Sequence, residues 1–434
     1  MAITADPSSD PPSVLLDTSV THIVQLLIEE LDFAADGIRN LEHYAVFWDE
    51  TEDVVRDQDK ICMEAALLAL LADRVGAAVA PAIDRPLSEL TAILQPAVCS
   101  SWVARSIDQD PHSLDKLAVG YLVLREIAGD VPEMERVLAR ARATRQTRAR
   151  EMPPFKEMER QWLLALRGAH DDRRLQAAAI LSLAASDAHP IYMNRMDGYA
   201  LSHAVFYLTD FGRRPLPGGD FAGLAEKIDA AIASALAARD YDLLIEFVTA
   251  AIMLGHTASA YLSFGLHFAL RQKTMFGYLP GPSFSTARWQ ELAGQASEAY
   301  EFLHLYHPRF VIGLLCASLL GACPAGTPAL LASRRTMPAP PEGGSVLAAL
   351  AAVLARWQGH STFAELLEFA TIVPLDDRES AQVVADMAIW ALTRAGALAV
   401  LTDVLQVIVD HGLEVTSTVQ AAIVFLRNCE DQIG

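Results

Sequence analysis

A chain of 434 residues is long enough to bury a large core and has room for two or three domains. Its formal net charge of −20 argues against nucleic acid as a main partner, because binding phosphates wants a basic surface. Hydrophobic residues make up 52% of the chain, yet the longest largely apolar run, residues 310–323, falls short of the roughly 20 residues that span a bilayer, so no membrane partner is expected.

Residues 1–16 read as a flexible tail. The stretch is acidic and rich in Pro and Ser, with no basic or apolar region of the kind a secretory signal needs, which predicts a cytoplasmic protein. Helical periodicity begins at Val20 and continues through Ile23, Val24, Leu27, Ile28 and Leu31. It returns at 65–79, 114–128, 155–166, 175–185, 221–238, 243–254, 289–303, 346–357 and 384–395. No stretch alternates cleanly with period two, and no Asn-Gly or Asp-Gly turn joins β-branched runs. The fold class is therefore all-α, expected as an irregular α/α array that is curved or toroid-like around a cavity. No fixed repeat supports a regular solenoid.

Asp17-Thr18-Ser19, Ser113 and Asp240 are candidate N-caps, and Gly76, Gly129, Gly168 and Gly255 are candidate helix ends. Pro96, Pro132 and Pro153-Pro154 are expected to interrupt or open helices. A helical region over 17–152 leads into a second over 153–434, and loops at 213–219 and 324–344 look like hinges. Five scattered cysteines without CxxC spacing indicate neither a disulfide framework nor a zinc site. Arg136, Arg140, Arg142, Arg145, Arg148 and Arg150 cluster within an acidic chain. The cluster is either a solvated helix end or a docking patch, Arg136–Arg150, for an acidic carrier protein or a sulfate- or phosphate-bearing ligand.

Nucleotide-binding, metalloprotease and nucleophile-elbow motifs are absent, and no acidic cluster of the kind that holds magnesium diphosphate lies on a helix. Neither a metal nor a cofactor is expected. Chemistry concentrates instead in three segments. In residues 192–212, Tyr199, His203 and Phe206 share one helical face with Tyr207 beside them, while Thr209 and Asp210 fall at the helix end before Gly212. An acid at a helix C-terminus opposes the dipole, so Asp210 should hold a specific partner. In residues 301–310, His304 and His307 lie at i, i+3 with Tyr306 and Arg309 nearby, and Pro308 is expected to disturb the helix and place these groups at a helix start. Residues 270–283 form a Gly- and Pro-restrained loop after a helix. Each segment has a plain structural reading as well: a braced helix junction, a solvated junction and a connector.

The run Tyr199-Ala-Leu-Ser-His203-Ala-Val-Phe206-Tyr207-Leu-Thr209-Asp210-Phe211-Gly212 resembles the signature of an actinobacterial all-helical family, Thr-His-x-x-Phe-Tyr-x-Thr-Asp-Phe-Gly. Asp242-Leu243-Leu244, Gln272 with Gly277, and Tyr306-His307 match the family's downstream segments. Ser202 stands where Thr is usual, and Pro308-Arg309 replace small hydroxyl residues. The resemblance covers residues 171–321. It implies a protein of natural-product gene clusters, similar to the azinomycin-pathway branch that closes an aziridine ring by displacing a sulfate ester.

On that reading the chain is a cofactor-independent biosynthetic enzyme that cyclises an amino-acid-derived, sulfated substrate. His203 or Asp210 would be the base or amine anchor, Arg309 with His307 or Tyr306 would receive sulfate, and Tyr199, Tyr207, Thr209 and Gln272 would complete the substrate site. Its rival is a non-catalytic helical scaffold presenting a groove to a peptide or carrier protein. A terpene-cyclase-like α/α barrel is a third reading, weakened by the missing metal motif.

Overall fold

Side-chain caps set where helices start. In the computed structural model Ser19, Ser100, Asn194, Asp240, Ser259 and Asp376 each accept a hydrogen bond from a free N–H group in the first turn of the helix that follows. The structure describes residues 19–44, 57–144, 151–166, 171–216, 221–279, 284–322 and 345–433. The tail 1–16, Arg145, Arg148, Arg150 and the 324–344 loop lie outside the described residues.

The described residues form α-helices and no strand, so the all-α class expected from periodicity is right. The first part of the chain supplies α1 (Val20–Arg39), α2 (Leu41–Tyr44), α3 (Asp57–Asp73), α4 (Ala80–Val98), α5 (Ser101–Gln109), α6 (Leu114–Leu117), α7 (Val119–Ala128) and α8 (Pro132–Ala143). The middle supplies α9 (Pro154–Ala165), α10 (Asp172–Ile180), α11 (Arg195–Leu208), α12 (Leu224–Ala238), α13 (Tyr241–Met253), α14 (Ala260–Phe276), α15 (Thr286–Glu291) and α16 (Gln295–Ala317). The last part supplies α17 (Val346–Leu354), α18 (His360–Ala370), α19 (Asp377–Ala395), α20 (Leu398–Asp410) and α21 (Ser417–Ile433).

Several boundaries differ from the periodic reading, each for a local reason. The 289–303 run is two helices, because Gly294 takes φ +58° and parts α15 from α16. The 175–185 run stops at Ile180. Pro132 and Pro154 open helices as expected, but Pro96 lies inside the last turn of α4. Pro308 begins no helix; it is buried inside α16, which continues past it. Ser113 precedes α6 without capping it by a side-chain hydrogen bond.

Helices from both sides of residue 152 share one apolar core. At its centre α16 packs on α1, α3 and α13. The helix continuing from Gln295 to Gly321 is long and apolar enough to cross a bilayer, but 67% of its apolar 18-residue stretch is buried, as in a core helix. Small residues allow the close approach. A Cβ on Gly37 of α1 would meet the Phe302 ring at 1.7 Å, and one on Gly313 of α16 would meet Leu68 at 2.5 Å. Gly37→Ala is expected to lower the unfolding free energy by about 1–3 kcal/mol through overpacking, and Phe302→Leu in the same chain to return most of it. Equal melting temperatures for Gly37→Ala and the parent would show that the ring swings aside freely.

A buried polar knot ties α19 to α14 and the start of α21. The Asp386 carboxylate accepts from Tyr261 Oη (2.7 Å) and Thr416 Oγ1 (3.0 Å). Burial pushes this carboxyl from 3.8 up to about 6 despite those donors. Between those two values the folded state holds a proton that the unfolded chain has released, so stability falls as pH rises through the window and then levels off. The span of about two pKa units corresponds to about 3 kcal/mol. The stability difference between the parent and Asp386→Asn should therefore shift against the parent by about that amount between pH 4 and pH 7. A difference constant with pH would refute it.

Candidate active site

α11 starts from a capping box in which Asn194 and Asp197 exchange side-chain and backbone hydrogen bonds. This fixes the helix so that Tyr199, His203, Phe206 and Tyr207 present one aromatic face, with the His203 ring 6.2 Å from Tyr199, 5.8 Å from Phe206 and 6.0 Å from Tyr207. The face looks into a cavity of about 660 Å³. Glu64 and Leu67 of α3, Phe155 and Glu159 of α9, Glu246 of α13, and His307 and Phe310 of α16 supply the other walls.

The polar groups of this wall are organised pair by pair. Asp242 and Glu246 stand at i, i+4 on α13, each 2% exposed. The Tyr199 hydroxyl donates to Asp242 Oδ2, and Arg195 Nη2 reaches the same oxygen at 3.2 Å. The Ser202 hydroxyl donates to Glu246 Oε2. His307 bridges them: Nδ1 lies 2.7 Å from Glu64 Oε2, and Nε2 lies 3.1 Å from Asp242 Oδ1 and 3.9 Å from Glu246 Oε1. His203 Nε2 is 3.7 Å from Glu246 Oε1, while its buried Nδ1 has no hydrogen-bond partner among the described residues. Across the aromatic face, Tyr207 donates to Glu159 Oε1 (2.9 Å), whose other oxygen takes Lys156 (2.8 Å).

Electrostatics follow from this pairing. Burial alone would lower His307, but Glu64 and Asp242 outweigh it and hold the imidazole protonated well above its usual range. Burial would raise Glu64 and Asp242, and the same imidazolium brings both below the ordinary carboxylate range. Burial and the adjacent carboxylates push Tyr199 and Tyr207 up, so both remain neutral phenols. Nearer the mouth, burial pushes Asp59 up to about 6, with Lys116 pulling the other way. Lys60, Lys116 and Lys156 stand at the exposed edge together with Asp59, Asp115 and Glu151, whereas the inner wall carries carboxylates and aromatic rings.

Of the residues singled out in the sequence, Tyr199, His203, Tyr207 and His307 meet at this cavity. Tyr306 packs instead between Phe302 and Phe310. Arg309 turns away: its Nε lies 2.5 Å from Glu30 Oε2, and its guanidinium sits 3.6 Å over the Phe33 ring. Gln272 is buried and donates to Glu365 (2.6 Å). Thr209 and Asp210 shape the turn after α11. The Thr209 hydroxyl donates to the Val205 carbonyl (2.7 Å) and accepts the Gly212 N–H (3.0 Å). Asp210 has the specific partners expected of it, accepting from Trp162 Nε1 (2.8 Å) and pairing with Arg74 (3.3 Å). Asp210, Phe211 and Gly212 all take positive φ, which costs strain in the first two and explains glycine at the third.

Sequence reasoning missed Glu64, Glu159 and Glu246, and gave no role to Asp242. A signal existed on α13, where the first and last letters of Asp242-Leu-Leu-Ile-Glu246 are acids in an otherwise apolar helix, and acids are seldom buried without a reason. In the arginine cluster, Arg140 grips Asp108 through two nitrogens and Arg136 bonds the Pro132 carbonyl. Arg142 lines a second cavity of about 420 Å³ with Arg160, Arg174, Asp115 and Asp171.

Residues 34–317 match a family model described as a domain of unknown function (DUF6895). The matched span runs from α1 to the end of α16 and contains every residue lining the larger cavity. No curated protein and no solved structure is detectably similar to the chain.

Proposed function

The chain belongs to the DUF6895 family, and we propose that this member is an enzyme whose small-molecule substrate carries an amine at one end and an anionic leaving group at the other. One observation carries the reading: buried carboxylates and aromatic rings line the inner wall of the cavity, and cations, Lys60, Lys116 and Lys156, stand at its exposed edge among Asp59, Asp115 and Glu151. A substrate ammonium is drawn inward among Glu159, Glu246 and the aromatic rings, and an anionic group faces Lys60, Lys116 and Lys156.

The reaction proposed is intramolecular ring closure with loss of sulfate, in keeping with the resemblance of residues 199–212 to a natural-product family. His203 takes one proton from the bound ammonium. The freed nitrogen lone pair attacks the carbon bearing the sulfate ester, the C–O bond breaks, and sulfate departs with its electron pair. The ring nitrogen keeps its remaining protons as an aziridinium until release. Holding the nitrogen near its target carbon supplies much of the acceleration, and lysines at the departing oxygens stabilise the developing charge. The lysines take the role assigned earlier to Arg309, because Glu30 and Phe33 hold that arginine elsewhere.

The test is mass spectrometry of the purified protein incubated with sulfated β-amino alcohols of differing carbon skeleton. Loss of sulfate with formation of the ring-closed product, abolished by Glu246→Gln, is expected. Intact precursors throughout would overturn the reaction and favour a non-catalytic binding scaffold.

A further inference from the structure

We infer that Asp242, Glu246 and His307 form a binding site for one divalent transition-metal ion of the Mn²⁺ or Zn²⁺ class, at the inner end of the cavity. The argument rests on how the three side chains are held. Each has one ligating atom occupied by a neighbour and the other turned to a common point. Asp242 Oδ2 is taken by Tyr199 and Arg195, and Glu246 Oε2 by Ser202. His307 Nδ1 is taken by Glu64 at 2.7 Å. What remains is Asp242 Oδ1, Glu246 Oε1 and His307 Nε2, three atoms within 4.8 Å of one another.

Neighbours that fix the far atom of each ligand are the usual support of a metal centre, and a carboxylate on the far nitrogen of a ligating histidine is its commonest form. Asp242 Oδ1 is the telling atom. It is buried and accepts no well-aligned hydrogen bond; the His307 Nε2–H stands 3.1 Å away, and a bound ion would take that proton's place. Ligands held about 2.1 Å from an ion lie about 3–4 Å apart. The His307–Asp242 and His307–Glu246 separations of 3.1 and 3.9 Å fall in that range. One imidazole nitrogen with two carboxylate oxygens suits Mn²⁺, Fe²⁺ or Zn²⁺. His203 stands beside Glu246 with Nδ1 unsatisfied.

The pattern escaped the sequence reading, which found no metal motif, because the ligands come from α13 and α16 rather than from one short run. Glu246 and His307 line the cavity, so an ion there would have coordination positions open to it. The site does not rest on the ring-closing reaction proposed above.

The experiment uses the full chain stripped with EDTA and titrated with Mn²⁺ alone, followed by electron paramagnetic resonance, with bound Zn²⁺ counted by elemental analysis after gel filtration. One ion per chain is expected. Affinity should drop at least tenfold in Glu246→Gln and in His307→Gln, each checked for folding by circular dichroism. Asp229→Asn, which disturbs a separate carboxylate–histidine pair with His256, should bind as the parent does. Failure to bind either ion, or binding unaffected by the two substitutions, would overturn the site. Stoichiometric binding lost in both variants, but with no product from any precursor, would uphold the site and overturn the ring-closing reaction.

Discussion

Replacing Glu30 with Leu is expected to lower the free energy of unfolding by about 3–5 kcal/mol, because it strands the buried Lys273 and the half-buried Arg309. Glu30 is fully buried in α1. Lys273 Nζ of α14 stands 2.7 Å from its Oε1, at an angle that makes the contact an ion pair rather than a hydrogen bond, and Arg309 Nε of α16 donates to Oε2 at 2.5 Å. Lys273 is itself 5% exposed. The net worth of such a triad over a well-packed apolar core is small or negative, whereas removing one member leaves charge without a partner. Glu30→Leu combined with Lys273→Met and Arg309→Met should therefore recover most of the loss. Urea denaturation of the single and triple variants measures both. A single-variant loss below about 1 kcal/mol would mean that water reaches the two cations on its own.

His203→Ala is expected to reduce turnover of the ring-closing reaction by about 10²- to 10⁴-fold, the usual contribution of a positioned proton acceptor. The fold should change little, since the side chain is 29% exposed and gives up no hydrogen bond at Nδ1. Turnover number and melting temperature are measured together, and added imidazole should restore part of the rate in the alanine variant alone. A melting temperature within a degree or two of the parent, with turnover unchanged, would remove His203 as the base. A large fall in both would instead make it a packing residue.

What could be read from the sequence had short range. Tyr199, His203 and Tyr207 were found because one helix turns them to one face, and that spacing needs no knowledge of the tertiary fold. Caps at Ser19 and Asp240 were readable for the same reason. Glu64, Glu246 and His307 meet only because α3, α13 and α16 pack together, and no local pattern encodes that. Arg309 shows the cost of one wrong local assumption. If Pro308 ended a helix, His307 and Arg309 could reach one pocket. In the continuous α16 they are two positions apart and face opposite sides, one toward the cavity and the other toward Glu30. A proline inside a helix loses a backbone hydrogen bond and crowds the carbonyl four residues back, and the apolar surroundings of α16 supply the packing that holds the helix through it.

The turn after α11 bears on how relatives of this chain are to be sorted. Its most recognisable letters, Thr209 through Gly212, hold a left-handed reversal under Trp162 and Arg74, and their polar atoms are consumed in doing so. Such letters report the scaffold's joinery, and proteins that share them inherit a shape without inheriting a reaction. A kinship drawn from that run alone would report a shared turn and say nothing of the cavity. The residues that discriminate are the ones no compact pattern captures: the acids matching Glu64 and Glu246, the imidazoles matching His203 and His307, and the lysines matching Lys60 and Lys156.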